Sequence, residues 1–490
     1  MKRKPSKKIE LIKRIAVYVA MTLSVLIIVS GLILILLGYR FDTDNGRVEQ
    51  GGLVQFATIP TGATVEVDGK VISSRTPTKS SVIAGSHEFV MWREGYQTWR
   101  KTVNVEAGTL LWLTYPRLVP TIKTVVPVAQ YGALHASLAT ADGQDMLIQT
   151  DAAIPSFELV DLRADEVKST IITIPATAYS DATTPDVSHT FTLDQWDADG
   201  RYVLVQHRYG DTSEWLVVDS QDVTKTINMT TLFDIDISSP KFSGTSGNML
   251  YVMSGSDIRK LDLSAGTISR SLVAGVTSFD LFETNVVTYV GVDQTDATKR
   301  VVGLYREGDN IPHVLRSVAS ADDVPLHIST ARYFNQDYVA IAEGNTVDIM
   351  SGSYPASDDL ESDSLRAYGS FSTKSAIDHL FFSPAGEYVM AQSDASFSTF
   401  DIEHKLMSTS AIASDVTEAI RPLQWLDDNY VWSDYAGNVS LREFDGGNGG
   451  TINPVIVGQD VTLSQSGRYL YSMGKNDTGF QLQRVRMILQ

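Results

Sequence analysis

The sequence contains no cysteine among its 490 residues, which excludes disulfide bridges, thiolate zinc sites and cysteine nucleophiles. It also lacks the G-x-S-x-G elbow, H-E-x-x-H, the phosphate-binding G-x-x-x-x-G-K loop and the dinucleotide-binding G-x-G-x-x-G pattern. The eight histidines show no metal-ligand spacing and stand at positions 87, 135, 189, 207, 313, 327, 379 and 404. We therefore predict no catalytic site, no metal site and no cofactor, and we expect that the protein is not an enzyme.

Basic residues are also scarce, since 40 Lys and Arg stand against 58 Asp and Glu, a net charge of -18. The distribution is uneven. Residues 1–38 hold seven basic side chains and one acidic side chain, a net charge of +6, so the remaining 452 residues carry -24. Binding to nucleic-acid phosphates requires clustered Lys and Arg, so the acidic part of the chain excludes nucleic acid as a partner.

Only one long hydrophobic run is present, the 24 uncharged residues 15–38. As a helix it would be roughly 36 Å long, enough to cross a hydrocarbon core of about 30 Å. A cleaved signal peptide is the alternative, but its apolar region is typically about 7–15 residues and ends in small residues. We predict a basic cytoplasmic tail (1–14), a single transmembrane helix in the lipid bilayer (15–38) and a linker (39–50). The positive-inside bias then places the N-terminus in the cytoplasm and the bulk of the chain outside it, a type II cell-membrane protein.

Residues 51–118 alternate short apolar runs with turn residues, which favours β-structure. Asp68-Gly69 is suited to a tight hairpin turn because Gly accepts a positive φ. The order of these residues resembles the PEGA domain, a small β-sandwich of bacterial and archaeal surface proteins, with Thr61 where that family usually has Glu. The matching positions are Pro60, Gly62, Ala63, Val65, Val67, Asp68, Gly69, Thr76, Pro77, Gly85, His87, Gly95 and Tyr96. The resemblance implies structural roles for them, surface localisation, and contact with protein or carbohydrate.

Two groups of side chains in this region admit a functional interpretation. His87 could serve as a ligand or base, but we interpret it as a strand residue before Phe89, since no second His or Cys lies near it. Trp92, Trp99 and Trp112 could form a glycan-stacking face, although packing in the core or on a sheet face is the alternative that we favour.

After a predicted linker at 119–130, residues 131–490 repeat a pattern in which a small or acidic turn leads into an apolar strand and then a further strand. Eight such units in 360 residues give about 45 residues per unit, which is typical of β-propeller blades. The second strands with their turns are 142–148, 199–205, 246–252, 285–287, 336–341, 385–390, 428–432 and 466–471. The third strands are 157–162, 215–219, 259–263, 302–305, 347–349, 399–402, 440–444 and 480–485. The phrases at 382–389 and 463–470 resemble the blade turn of WD40- and TolB-like propellers. The predicted fold is thus all-β with one N-terminal transmembrane helix, a PEGA-like β-sandwich and a β-propeller of seven or eight blades.

Two acidic segments could bind a cation, because hard cations favour clustered carboxylates. The first, Asp194 with 197–200, does not fit a calcium loop of the EF-hand type, and we interpret it as a blade turn. The second, 358–363, is interpreted as a solvated loop.

These features favour a membrane-anchored bacterial surface protein that binds protein or glycan partners in the cell envelope. Two alternatives remain open at this point. One is a structural subunit of a larger membrane-associated assembly. The other is a propeller hydrolase or lyase acting on cell-wall polysaccharide, which would need several Asp, Glu or His side chains at one end of the central channel. The sequence leaves the oligomeric state undetermined.

Overall fold

The structure is a computed structural model that describes residues 7–36, 39–42, 47–181, 187–354, 364–413, 416 and 418–489. The chain divides into two compact units, Met1–Ile122 and Lys123–Gln490. The acidic segment 358–363 lies outside the described residues.

The first unit begins with one long helix, α1, over Lys7–Leu36. Within it, Leu11–Leu34 is long and apolar enough to cross a membrane, and it is the one such stretch among the residues that the structure describes. The apolar side chains of this stretch are exposed. A helix suits an apolar environment because it satisfies the backbone hydrogen-bonding groups within the segment itself. The predicted apolar helix is confirmed, and it extends back into the predicted basic tail.

The rest of the first unit is a sandwich of two β-sheets in which most strand pairs are antiparallel. The first sheet contains β1 (Tyr39–Asp42), β2 (Arg47–Phe56), β5 (Thr78–Ile83) and β8 (Leu110–Leu113), with β8 parallel to β2. The prediction that 39–50 is a linker is therefore wrong for 39–42 and 47–50, which pair with each other in this sheet. The second has the order β4 (Lys70–Arg75), β3 (Thr64–Val67), β6 (Gly85–Trp92) and β7 (Trp99–Val105). The core lies between the two sheets, where the rings of Phe56 and Phe89 approach to 5.7 Å. Alternate residues of β2 are buried there because successive side chains of a strand point to opposite faces.

The second unit consists of eight four-stranded antiparallel sheets, which we name blades 1 to 8 in chain order. Blade 1 contains β10 (Ala136–Ala139), β11 (Asp145–Gln149), β12 (Ser156–Asp161) and β13 (Lys168–Thr173), and blade 2 contains β14 (His189–Trp196), β15 (Tyr202–Tyr209), β16 (Thr212–Asp219) and β17 (Ile227–Asn228). Blade 3 contains β18 (Ser238–Phe242), β19 (Met249–Ser254), β20 (Asp257–Asp262) and β21 (Thr267–Ile268). Blade 4 contains β22 (Val276–Phe282), β23 (Val286–Val292), β24 (Lys299–Arg306) and β25 (His313–Ala319). Blade 5 contains β26 (Leu326–Tyr333), β27 (Gln336–Glu343), β28 (Thr346–Gly352) and β29 (Leu365–Ser372). Blade 6 contains β30 (His379–Phe382), β31 (Tyr388–Ser393), β32 (Ser396–Asp401) and β33 (Met407–Ala411). Blade 7 contains β34 (Gln424–Trp425), β35 (Tyr430–Ser433), β36 (Asn438–Glu443) and β37 (Gly450–Pro454). The further helical segments described are α2 (Met229–Phe233) and short turns at Val223–Lys225, Ser320–Asp322 and Tyr435–Gly437.

Blade 8 joins the two ends of the propeller sequence. It contains β38 (Val461–Leu463), β39 (Tyr469–Asn476) and β40 (Gly479–Arg486), and its fourth strand is β9 (Val125–Tyr131). The prediction that all of 119–130 is a linker is therefore wrong for residues 125–130, which belong to an outer strand. A chain-closing strand of this kind carries no turn motif of its own, so the repeat pattern did not include it.

The blades pack side by side into a closed ring. Leu147 of blade 1 packs with Val203 of blade 2, and Met146 of blade 1 packs with Tyr471 of blade 8. The first strands of adjacent blades approach one another, so they are the inner strands that line the centre. The structure thus confirms the propeller and resolves eight four-stranded blades in the part of the chain that it describes.

The repeated turns between the first and second strands explain the sequence pattern. In five of them a side-chain oxygen accepts a backbone N–H from the following strand, and the accepting residues are Thr140, Asp197, Ser383, Asp427 and Ser464. The segment 197–200 is one of these turns, as predicted. Gly143 has φ 66° in the turn of blade 1, and an added Cβ would collide with the Leu463 carbonyl of blade 8.

Candidate functional site

A cavity of about 360 Å³ lies on the inner strands of blades 5 to 7. We call it the inner cavity. It lies on β26, β30 and β34 together with the segment that precedes β34. The residues that line it are His327, His379, Leu380, Phe381, Pro422, Leu423, Gln424 and Trp425. Its lining thus combines five apolar or aromatic side chains with two imidazoles and one amide as polar side chains.

The aromatic side of the inner cavity is a packed cluster. Trp425 meets Phe381 edge-on, with ring centroids 6.3 Å apart, and lies nearly parallel to Tyr388 at 6.4 Å. The indole N–H of Trp425 is buried and has no hydrogen-bond partner among the described residues. Aromatic faces of this kind stack on sugar rings, peptide planes and other aromatic side chains.

The histidine side of the cavity is set by its hydrogen bonds. His327 Nε2 donates to the Ile377 carbonyl at 2.9 Å, because a carbonyl oxygen can only accept. That bond leaves Nδ1 of a neutral ring as an acceptor. Burial lowers the pKa of His327, against the opposing effect of the Ile377 hydrogen bond, and so favours the neutral ring.

One charged residue, Arg421, adjoins the lining of the inner cavity in the chain, and it lies near the carboxylates of Asp434 and Asp460. Arg421, next to Pro422 in the chain, donates from Nη1 to Asp434 Oδ2 at 2.5 Å, and that oxygen also accepts the Gly458 N–H at 2.8 Å. Asp460 accepts the backbone N–H of Ala139 at 2.9 Å. Burial raises the pKa of Asp460, and the nearby Arg421 partly offsets this effect. Both carboxylates thus bind backbone N–H groups and hold the connecting segments of blades 7, 8 and 1.

A second polar cluster lies in blade 2, where His207 is fully buried. Its Nδ1 donates to Glu214 Oε1 at 2.8 Å, and its Nε2 lies 2.9 Å from Nδ1 of His189. Ser180 donates to Glu214 twice, from its N–H at 2.8 Å and its hydroxyl at 2.7 Å. Phe191 stacks on the His207 ring at 4.4 Å. We call the group formed by Ser180, His189, His207 and Glu214 the blade 2 network.

The protonation of the blade 2 network follows from its geometry. Burial raises the pKa of Glu214, but hydrogen bonds from His207, Asn228 and Ser180 outweigh it and lower that pKa to about 2. Only one hydrogen fits between the facing nitrogens of His189 and His207. The network holds the segment that contains Ser180 against blade 2.

In the first unit, the structure places the predicted motif residues in turns and strand ends. Thr58 donates to the Pro60 carbonyl at 2.6 Å, and Thr76 Oγ1 lies 2.7 Å from Thr58 Oγ1 and accepts the Ala63 N–H at 2.9 Å. The chain around Pro60, Gly62 and Pro77 is held by this network, and Gly62, Gly69, Gly85 and Gly95 all have positive φ. Val65 is buried in the core, and Val67 ends β3 next to the turn. Tyr96 is buried at a bridge to Pro120.

His87 lies in β6, as expected, and fixes the Asp68-Gly69 turn. Its Nδ1 lies 2.5 Å from Asp68 Oδ2, and its Nε2 donates to the Ile83 carbonyl at 2.7 Å. The hydrogen bond from His87 is the main reason why the pKa of Asp68 is lowered. Both ring nitrogens are thus engaged within the domain.

The three tryptophans do not form one stacking face. Trp99 is only 1% exposed because it packs in the sandwich core, in agreement with the interpretation favoured from the sequence, so it does not belong to a glycan-stacking face. Trp92 is 43% exposed on β6 and Trp112 is 52% exposed on β8. These two strands belong to different sheets, so the two exposed tryptophans lie on separate faces of the sandwich.

The inner cavity and the blade 2 network were not found from the sequence. Their residues come from segments far apart in the chain, and the register of pairing brings them together. The two-residue strand β34 is too short to show an alternating pattern. One sequence signal could have indicated the inner cavity: the first strands of three consecutive blades each carry a histidine or an aromatic residue, namely His327, Phe381 and Trp425.

Comparison with known protein families identifies the domain in the first unit. The family model of the PEGA domain matches residues 52–120, close to the predicted 51–118. No curated protein matches the sequence of the chain.

Among solved structures, Kluyveromyces lactis Hsv2 matches with 11% identity and a TM-score of 0.38, covering 73% of this chain and 99% of that one. The β-propeller domain of Myceliophteria thermophila Cps50 (Swd1) matches with 11% identity and a TM-score of 0.36, covering 66% and 98%. An oligogalacturonate lyase in complex with manganese matches with 10% identity and a TM-score of 0.38, covering 72% and 98%. Scores this low carry no inference about ligand or activity. The chain contains a PEGA domain at 52–120, followed by a β-propeller.

Proposed function

We propose that this chain is a single-pass membrane protein of the bacterial cell envelope whose propeller binds a protein or glycan partner outside the cytoplasm. The observation that carries the proposal is the inner cavity. Its volume of about 360 Å³ falls in the range of roughly 300–1,000 Å³ found for ligand sites. Its lining combines aromatic faces with a few polar groups, as binding sites do.

The membrane part of the proposal is supported by α1. Leu11–Leu34 has the length and composition of a membrane span and exposes its apolar side chains. The seven basic residues that precede the apolar run favour a cytoplasmic N-terminus. We infer that α1 is retained as an anchor rather than removed as a signal, because its apolar run is longer than a signal region.

Binding rather than catalysis is supported by the chemistry of the inner cavity. The residues that line it include no carboxylate, whereas acid–base cleavage of a polysaccharide uses a pair of carboxyl groups flanking the scissile bond. Of the carboxylates nearby, Asp434 and Asp460 accept hydrogen bonds from backbone N–H groups, Asp378 acts electrostatically on His327, and Asp280 lines an adjoining cavity that shares His327 and Leu380. In this proposal these carboxylates take no part in a reaction.

The partner would be recognised by stacking and hydrogen bonding. Phe381 and Trp425 offer aromatic surface to the apolar face of a sugar or to a peptide side chain. The amide of Gln424 and the ring of His379 can bind hydroxyl or peptide groups. Since Gln424 is exposed, truncating it removes a contact with the partner without opening a hole in the core.

The proposal is tested by capture from envelope extracts with the detergent-solubilised full chain. We expect the double variant Gln424→Ala with His379→Ala to lose most of the captured partner. The matched double variant Gln221→Ala with His404→Ala, outside the cavity, should retain it. Equal capture by both variants would refute the inner cavity as the binding site. Failure of the unmodified chain to retain any envelope protein or glycan would refute the binding function.

The orientation is tested by cysteine labelling, which the absence of native cysteine makes direct. Asp477→Cys lies in an exposed turn of blade 8 and should react with a membrane-impermeant maleimide in intact spheroplasts. Lys4→Cys should react only after the membrane is opened. The opposite pattern would place the propeller in the cytoplasm.

A further inference from the structure

The first sheet of the PEGA domain has an apolar outward face. Leu53, Ile83, Leu110 and Trp112 are 39%, 49%, 43% and 52% exposed, and we call them the outer patch. Leu53 pairs directly with Leu110, and Trp112 lies two residues further along the same strand. A sheet with one face in a core normally presents polar residues on its other face, so an apolar outward face points to a contact.

The path of the chain places the outer patch close to α1. Only two residues separate the end of the helix at Leu36 from Tyr39, where β1 begins. Strand β2 runs antiparallel to β1 and pairs Gln50 with Tyr39. Residues beyond Gln50 therefore continue back past the start of β1, toward the helix end, and Leu53 lies roughly 10 Å beyond that point.

This direction restricts how the domain can sit above a membrane. A strand that returned straight toward the helix end would enter the hydrocarbon, where the sheet edges would lose their hydrogen-bonding partners. A sheet that lies over the membrane surface with one face toward it avoids this cost. Its inner face, with Val54 and Phe56, is buried against the second sheet, so the outer patch is the face that remains.

We propose that the outer patch rests on the lipid surface around α1, so that the PEGA domain lies on the membrane. This inference depends on the proposed function, because it requires α1 to be a membrane anchor. The chemistry of the patch agrees with a lipid surface: Trp112 suits the headgroup region, where amphipathic rings are favoured. Lys79 lies on the same face, opposite Gln55, and can reach lipid phosphates.

Spin labelling of single cysteines in the full chain, reconstituted into vesicles of phosphatidylethanolamine and phosphatidylglycerol, tests the inference. Collision with oxygen reports lipid contact, and collision with a water-soluble nickel chelate reports water contact. We expect a label at Trp112→Cys to gain oxygen accessibility and lose nickel accessibility on passing from detergent to vesicles. The matched label at Trp92→Cys, an exposed tryptophan on the other sheet, should stay accessible to nickel.

A third label, at Leu26→Cys in α1, separates this inference from the proposed function. If position 26 is in lipid while position 112 remains as accessible to nickel as position 92, the inference is overturned and the anchor stands. A label at position 112 that is shielded from both reagents would show a protein contact and would also overturn the inference. A label at position 26 that is accessible to nickel would refute the anchor and this inference together.

Discussion

Replacing Glu214 in the blade 2 network should destabilise the propeller strongly. Glu214 is buried and accepts hydrogen bonds from His207 and, twice, from Ser180. Its pKa falls from the ordinary value of 4.5 to about 2, which corresponds to about 3 kcal/mol of the free energy of unfolding at neutral pH. Removal of one partner of a buried pair typically costs about 3–5 kcal/mol, in agreement. We therefore expect Glu214→Gln to lower the free energy of unfolding by about 3 kcal/mol.

The effect is measurable as a thermal shift of the detergent-solubilised full chain, followed by tryptophan fluorescence. For a unit of the size of Lys123–Gln490, 3 kcal/mol corresponds to a decrease in Tm of about 4 °C. Glu283→Gln is the matched control, since Glu283 pairs with Arg332 at the surface. That exposed pair should contribute less than about 1 kcal/mol.

The pH dependence gives an independent check. Because the pKa of Glu214 is lower in the folded state, its stabilisation is fully present above about 4.5 and is lost as the pH falls toward about 2. The difference in stability between the unmodified chain and Glu214→Gln should therefore shrink to about half of its neutral value near pH 3. A Tm shift no larger than that of Glu283→Gln, or a difference that is constant with pH, would refute the assigned role of Glu214.

Three further predictions concern the turns and the closure of the ring. Thr76→Val should lower the stability of the PEGA domain by about 1–3 kcal/mol in urea unfolding, because a buried backbone N–H loses its acceptor; an unchanged midpoint would contradict the network. Gly143→Ala should destabilise the propeller more than Gly266→Ala in thermal unfolding, since both have positive φ but only Gly143 faces another blade. Equal shifts would show that the close approach is absent. Gln130→Pro in β9 should make the propeller sensitive to limited proteolysis, because proline removes a backbone N–H from the last sheet, whereas Ile122→Pro, outside the strands, should leave it resistant.

The sequence predicted the strands whose patterns depend on local chemistry. The second and third strands of all eight blades were located because small turn residues recur before apolar runs, and the structure shows that oxygens such as those of Asp197 and Ser464 cap those turns. The PEGA domain was located for the same reason, through turn residues such as Gly69 and hairpin partners such as His87.

Features that depend on pairing between distant segments were not predictable in this way. Strand β9 contains Pro127 and follows no blade turn, and only its pairing with β40 gives it a place in blade 8. The contact of His207 with His189 depends on strand register and on the connecting segment that carries Ser180. The burial of Trp99 against the exposure of Trp92 depends on which face of its strand each one occupies.

Closure of the ring by β9 also has a consequence for how the protein is made. Among the propeller strands described, β9 is synthesised first and its partner, Gly479–Arg486, is synthesised last. At about 5–20 residues per second, β9 waits roughly 20–70 s for its partner. During that time the edge of β9 has no partner strand and is a target for wrong pairing. Growing chains that stop short of β40 would leave the ring open at blade 8, because β9 would have no strand to pair with.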